Sequence, residues 1–212
     1  LNIIGKLKCG MRFEMLRQNY ELVLELITNC AHILYETNLY YVDEELEEIL
    51  NIISNKLNLT TYTSCTRDTI VFYDGFGLND RGLAQIYLKA LCTIKKIVYV
   101  TYEDRKYQIS DILNILDESK NEILFLNRRD NDFISQIQKL SEILNRMKPE
   151  SFFFYSTPND IVCTIILNAY ENKMVRYQIN LTDHAFWLGA RWIDQCIEVR
   201  DYGAAISEKY RK

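Results

Sequence analysis

The sequence predicts a Rossmann-like three-layer α/β domain with a mostly parallel sheet, preceded by a helical N-terminal segment. Two observations carry this. Apolar residues recur at helical spacing through the first sixty residues, and from Thr69 onward short, nearly continuous apolar runs alternate with amphipathic stretches. Strands that are apolar on both faces belong to parallel sheets covered by helices on either side, and the β-then-α alternation calls for right-handed crossovers.

The elements follow in order. Val23, Leu26, Ile27, Cys30 and Leu34 share one helical face. Leu46, Ile49, Leu50, Ile53 and Leu57 share another, after Asp43 as N-cap, with Glu44, Glu45, Glu47 and Glu48 on the solvent side at the positive end of the dipole. Residues 69–73 read as the first strand, broken by Asp74-Gly75-Phe76-Gly77, after which Asn79 or Asp80 caps a helix carrying Leu83, Tyr87, Ala90 and Leu91. Residues 97–100 form a second strand, Ser110 caps a helix, and residues 123–126 form a third strand. A helix with Ile137, Leu140, Leu144 and Met147 ends at Pro149, and residues 152–155 form a fourth strand. Thr157-Pro158 opens a further helix, since proline suits the first helical position. Residues 175–181 make a fifth strand and residues 196–199 a sixth. The organisation is thus a helical segment over 1–60, packing on a Rossmann-like domain over 61–212.

Composition narrows the function classes. The 212 residues are 48% hydrophobic with only 7 Gly and 2 Pro, enough for one good core and unlike a linker. The net charge of −4 and the lack of a Lys/Arg-rich run argue against nucleic acid as a partner, and against bulk-charge binding to an anionic membrane. Six scattered Cys, with no C-x-x-C pair and mostly inside apolar runs, read as reduced, buried thiols of a cytoplasmic protein. With two His and distant Cys, no zinc site is expected. No stretch has the unbroken apolar length of a membrane span. The chain begins without Met and reads as a piece of a longer protein.

Ligands of open α/β sheets bind outside the carboxyl ends of the strands, so residues just past each strand are the candidates. After the first strand come Asp74, Gly75, Gly77 and Arg81, where glycine lets backbone approach a ligand and the helix start offers N–H groups to an anion. Gly82 stands beyond the position that a G-x-G-x-x-G fingerprint requires, and no Gly-Lys-Ser/Thr follows. A tight turn with a salt-bridging arginine accounts for the same residues. After the third strand, Arg128 and Arg129 suit a phosphate or carboxylate, or a solvated turn. After the fifth strand stand Asp183, His184, Phe186 and Trp187. An imidazole there can exchange a proton near neutral pH, and the two aromatic rings can stack on a sugar. The other reading is a helix start with Asp183 as cap and the aromatics in the core. His32 lies inside an amphipathic helix and reads as packing or surface.

Taken together, Asp74-Gly-Phe-Gly77, Arg81-Gly-Leu83, Gln85-Ile-Tyr87, Asp183-His-Ala-Phe-Trp-Leu-Gly189 and Ile197-Glu-Val-Arg-Asp-Tyr-Gly203 resemble, in order and spacing, the N-terminal domain of bacterial GT-B glycosyltransferases of the retaining, cell-surface polysaccharide type. The resemblance spans about Thr69 to Ser207. It implies an enzyme fragment: the acceptor-side half of a sugar transferase, inactive without a C-terminal donor domain that is absent after Lys212. It implies a nucleotide-sugar donor and no other cofactor, a glycan or lipid-linked acceptor, and work in the cytoplasm, compatible with the inner face of a membrane. His184 with Asp183 would be catalytic in the interdomain cleft. Asp74, Gly75, Gly77, Arg81, Arg128, Phe186 and Trp187 would meet donor phosphates or acceptor. The alternatives are a non-catalytic flavodoxin- or receiver-like binding domain, and a nucleotide-binding enzyme complete in itself.

Overall fold

A computed structural model describes residues 2–79, 81–102, 110–116, 120–127 and 132–211. Three helices come first: α1 (Asn2–Leu16), α2 (Tyr20–Thr37) and α3 (Glu44–Leu57). The α/β part follows as β1 (Thr66–Asp74), α4 (Gly82–Leu91), β2 (Lys96–Tyr102), α5 (Asp111–Ile115), β3 (Glu122–Leu126), α6 (Phe133–Met147), β4 (Pro149–Tyr155), α7 (Ile161–Ala169), β5 (Val175–Ile179), β6 (Gln195–Ile197) and α8 (Asp201–Tyr210), with a short 3₁₀ turn at Ala190–Trp192 before β6.

The six strands form one sheet in the order β3-β2-β1-β4-β5-β6, with every described pairing parallel. This is the doubly wound order of dinucleotide-binding folds, not the 2-1-3-4-5 order of flavodoxin and receiver domains. Its switch point lies between β1 and β4, where Asp74 pairs with Tyr155 at the last register position. The direction in which successive strands are added across the sheet reverses there, so the loops after β1 and β4 diverge and leave a crevice.

Strand alternation divides the core in two. Val71, Tyr73, Val98, Val100, Phe152 and Phe154 face α6, α7 and the three N-terminal helices. Ile70, Phe72, Ile97, Tyr99, Tyr155 and Ile179 face α4 and α5. Successive strand residues point to opposite faces, so one unbroken apolar run fills both sides. The helical segment packs on the main domain through α2 against α6 and α7 and through α3 against α7. The N-terminal helices therefore form an outer layer on one side only.

The helix ends follow their local chemistry. Asp43 accepts from the Glu45 and Leu46 amides, Ser110 from Ile112, Asp132 from Ser135 and Asp160 from Cys163, each satisfying free N–H groups at a helix start. Lys148 adopts a left-handed conformation at the end of α6, and Pro149 then begins β4. Three expected starts differ. Asn79 does not cap α4: Arg81 precedes it without a side-chain cap, and Asn79 bonds back to the Phe76 carbonyl. The other candidate cap, Asp80, lies outside the described residues. Pro158 does not open α7, which starts three residues later under Asp160. No helix follows Asp183; residues 180–189 are turns, which leave their backbone groups to remote partners.

The cysteines are all free, but only Cys30 and Cys163 are buried, while Cys9, Cys65 and Cys196 are exposed. Apolar neighbours in sequence did not translate into burial, because helix and strand edges expose one side of any run. Tyrosine does fill the core: Tyr62, Tyr73, Tyr99, Tyr102, Tyr155 and Tyr170 are buried. Among the described residues, no helix is long and apolar enough to cross a membrane.

Candidate active site at the carboxyl edge of the sheet

The loop after β1 is tied to the strands beside it. Asp74 is fully buried; its Oδ2 accepts from the Tyr99 hydroxyl at 2.8 Å and its Oδ1 from the Phe76 amide at 3.1 Å. Its carbonyl accepts from the Thr101 hydroxyl at 2.9 Å. Asp74 is therefore a brace for the loop and not a contact for donor or acceptor. Gly75 donates its N–H to the Tyr155 carbonyl across the switch point at 2.9 Å. A Cβ on Gly75 would lie 2.4 Å from Asp160 Oδ2 and 2.7 Å from Ser156 Cβ, so glycine here serves close packing of two loops. Asp160 is pinned in turn by the Tyr73 hydroxyl at 2.9 Å and by its capping bond to Cys163. Gly77 has φ +87°, a conformation that glycine adopts without strain. Arg81 lays its guanidinium 4.2 Å from the Phe76 ring centroid, and Phe76 leans on Tyr155 at 4.7 Å. Burial raises the phenol pKa of Tyr155, opposed by the nearby Arg81 charge.

Two cavities of about 220 Å³ each flank this seam. One lies between His32 and Tyr35 of α2, Phe76, residues 157–159 and Thr182. The other lies between Thr28 of α2, Gly75, Tyr102, Phe133 and Asp160. Thr28, His32 and Tyr35 occupy one helical face, so α2 is a wall of the crevice. His32, expected as packing or surface, is exposed, and it lines the first cavity. Nothing local in the sequence indicates that the helix end overhangs the sheet edge.

The loop after β5 is built differently. Asp183 is buried, yet His184 beside it keeps 60% of its side chain exposed. Asp183 Oδ1 lies 3.2 Å from His184 Nδ1 and accepts from Arg200 Nη2 at 2.7 Å. A carboxylate accepts only, so this bond puts the neutral imidazole's proton on Nδ1 and turns a basic Nε2 outward. Arg200 immediately precedes α8, so Asp183, His184 and Arg200 join the ends of neighbouring strands β5 and β6. The cluster can take or give one proton and offers a cation to an anionic group.

Phe186 and Trp187 do not join it. Both are buried, and the Trp187 indole donates to the Thr182 carbonyl at 3.1 Å. They anchor the loop in the core and are not a stacking platform, because the loop doubles back under His184. Of the predicted residues, Asp183 and His184 thus come together with Arg200, which the sequence did not single out for this role. Gly75 and Gly77 sit on the neighbouring seam, with Arg81 stacked on Phe76. Arg128 lies outside the described residues. Among the described residues, no group of three or more His, Cys, Asp and Glu side chains is arranged to hold a metal ion.

Behind the loop, Gly189 (φ +82°) donates to Glu47 Oε1 of α3 at 2.8 Å. Glu47 is 1% exposed, and its Oε2 has no hydrogen-bond partner. Burial pushes its carboxyl up to about 7, against the pull of the Gly189 and Ala190 amides and the Arg191 charge. Glu47 also lines a cavity of about 890 Å³ between residues 39–42, α3 and the end of α8.

The chain matches no protein-family model, and no curated protein or solved structure is significantly similar to it.

Proposed function

We propose that this chain is the acceptor-side domain of a GT-B glycosyltransferase that moves a sugar from a nucleotide-sugar donor to a glycan or lipid-linked acceptor. The observation that carries the reading is the outward-facing His184, oriented by buried Asp183 and flanked by Arg200, at the carboxyl edge of a 3-2-1-4-5-6 parallel sheet. Support also comes from the resemblance itself, whose scattered pieces run from the loop after β1 into α4, along the loop after β5, and from the end of β6 into α8. An acceptor unit fits the mostly apolar cavity under α2, where His32, Tyr35, Asn159 and Thr182 supply polar contacts.

In the reaction, the acceptor hydroxyl oxygen bonds to the anomeric carbon as the bond to the nucleoside diphosphate breaks. The hydroxyl proton passes to Nε2 of His184, and the departing diphosphate carries the charge away. Arg200 adds a positive field at the rim. A second Rossmann-like domain supplies the donor site and most of the stabilisation of the leaving diphosphate, and closure of the two domains excludes water.

The test is nucleoside diphosphate release by the full natural polypeptide from a panel of UDP-, GDP- and dTDP-sugars with membrane-extracted acceptors. One donor should be turned over, and His184→Ala should lower kcat by roughly 10²-fold or more, the usual loss for a proton-transfer catalyst. Turnover of no donor removes the glycosyltransferase reading. Undiminished turnover by His184→Ala removes His184 from the mechanism.

A further inference from the structure

The loop that carries His184 has no regular structure of its own, so something must hold its shape. Its backbone groups divide into two sets. The N–H groups of the second half reach remote acceptors: Trp187 to the Tyr41 carbonyl, Leu188 to the Pro158 carbonyl and Gly189 to Glu47. The carbonyl groups around His184 converge on one side chain, Arg211, beyond the last turn of α8. Arg211 Nη2 stands 2.7 Å from the Ala185 carbonyl, 3.2 Å from Asp183 and 3.3 Å from Thr182. Two hydrogens on that nitrogen are shared among three acceptors. Nη1 donates to the Ser207 hydroxyl at 2.7 Å and faces Glu198 Oε1 at 3.6 Å.

We propose that Arg211 is a positioning residue, whose buried guanidinium turns the carbonyls on either side of His184 inward and thereby holds the imidazole outward against Asp183. This rests on the reading of His184 above. The geometry has three supports. Arg211 is 8% exposed, so its bonds are made in a low-dielectric setting and its charge is balanced by equally buried Glu198. Glu198 is itself fixed, accepting from Asn180 Nδ2 at 2.7 Å and from the Ser207 hydroxyl. Finally, α8 sits against the loop without slack: a Cβ on Gly203 would lie 2.5 Å from Glu198 Oε2 and 2.7 Å from Asp183 Cβ. The helix thus holds the loop from both ends, by Arg200 on the Asp183 carboxylate and by Arg211 on the carbonyls.

Only a planar fork of several donors can span these carbonyls and the Ser207 hydroxyl at once; an ammonium is a single point charge. Arg211→Lys keeps the charge and the stem but loses the span. Arg211→Met keeps only the stem.

The experiment is ¹⁵N NMR of histidine-labelled full natural polypeptide, with the His184 signal identified by its disappearance in His184→Gln. The wild type should show the neutral His184 ring as the Nδ1–H tautomer. In Arg211→Met and Arg211→Lys the ring should relax to the Nε2–H-rich mixture of a free imidazole. In the transfer assay kcat should fall roughly tenfold or more with KM changed less than about threefold, because misplacement by an ångström can cost on the order of 10²-fold. Loss of the tautomer with unimpaired transfer leaves the positioning role standing and removes His184 as catalyst. A wild-type ring without the Nδ1–H tautomer overturns the proposal. So does an unchanged tautomer in both variants. If Arg211→Met does not fold, Arg211→Lys decides.

Discussion

The loops after β1 and after β5 leave the same edge of the same sheet, yet they are stabilised in opposite ways. The first is tied to the buried strands directly beside it. Asp74 is held by Tyr99 and Thr101 of β2, Gly75 by the Tyr155 carbonyl of β4, and the facing Asp160 by Tyr73 of β1. The second is suspended from elsewhere. Its carbonyls go to Arg211, its amides to Glu47, Tyr41 and Pro158, and its carboxylate to Arg200. A loop held through its backbone by remote groups can keep a titratable side chain in solvent at fixed orientation, whereas a loop tied into the buried end of the sheet spends its polar atoms on that packing. In the glycine-containing segment, Gly75 serves the close packing of two loops.

The largest effect expected of this contrast comes from Gly75→Ala. The added Cβ meets an Asp160 oxygen at 2.4 Å that cannot swing away, since Tyr73 holds it and the other oxygen caps α7. The two loops must separate, at a cost of about 3 kcal/mol, the upper end for overpacking. Urea unfolding should show the loss. A variant as stable as the wild type would mean that the seam is loose, and that the glycine is there for a ligand after all.

Next is Glu47→Gln, which probes the suspended loop. The Glu47 carboxyl is raised from an ordinary carboxyl value of 4.5 to about 7 in the folded protein. A raised acid stabilises the fold fully below the unfolded pKa, and that contribution is lost as pH rises through 7. The difference is on the order of 3 kcal/mol, from 1.36 kcal/mol for each pH unit of a shift from 4.5 to about 7. Glutamine keeps the oxygen that accepts from Gly189 and carries no charge to desolvate. The variant should therefore match the wild type near pH 4.5, exceed it at pH 8, and lose the decline in between. Urea midpoints across that range check this, and a parallel decline in both proteins would show that Glu47 is not the group responsible.

How far the sequence disclosed all this depends on range. Strand positions were legible because apolar runs such as residues 69–73 and 152–155 need only local pattern, and parallel pairing follows from burial on both faces. Caps were legible where the side chain acts within three residues, as at Asp43 and Ser110. They failed where tertiary contacts set the helix start, as at Pro158, whose carbonyl is engaged by Leu188. In the site, the Asp183-His184 neighbourhood was legible because the two are adjacent in sequence. Arg200, Arg211, Glu47 and His32 were not, because each reaches the edge from another element. Phe186 and Trp187 were read equally as a stacking surface or as core, since an aromatic pair beside a polar dyad has no sequence mark of which way it points. Only the direction in which the loop folds back separates the two.

The smallest effect tests whether the two loops are independent. The Thr101 hydroxyl donates to the Asp74 carbonyl at 2.9 Å in a fully buried position on β2. Thr101→Val keeps the shape and deletes that one neutral bond, so it should cost about 1 kcal/mol in urea unfolding. Because the cost is confined to the contact of β2 with the loop after β1, His184 should keep the same ring tautomer and the same NMR titration midpoint as in the wild type. The β5 loop shares no described hydrogen bond with Thr101 or Asp74, and sites without shared partners add nearly independently. A shifted His184 midpoint in Thr101→Val would mean that the loops act as one unit. The division between a loop tied into the sheet and a suspended chemical one would then have to be abandoned.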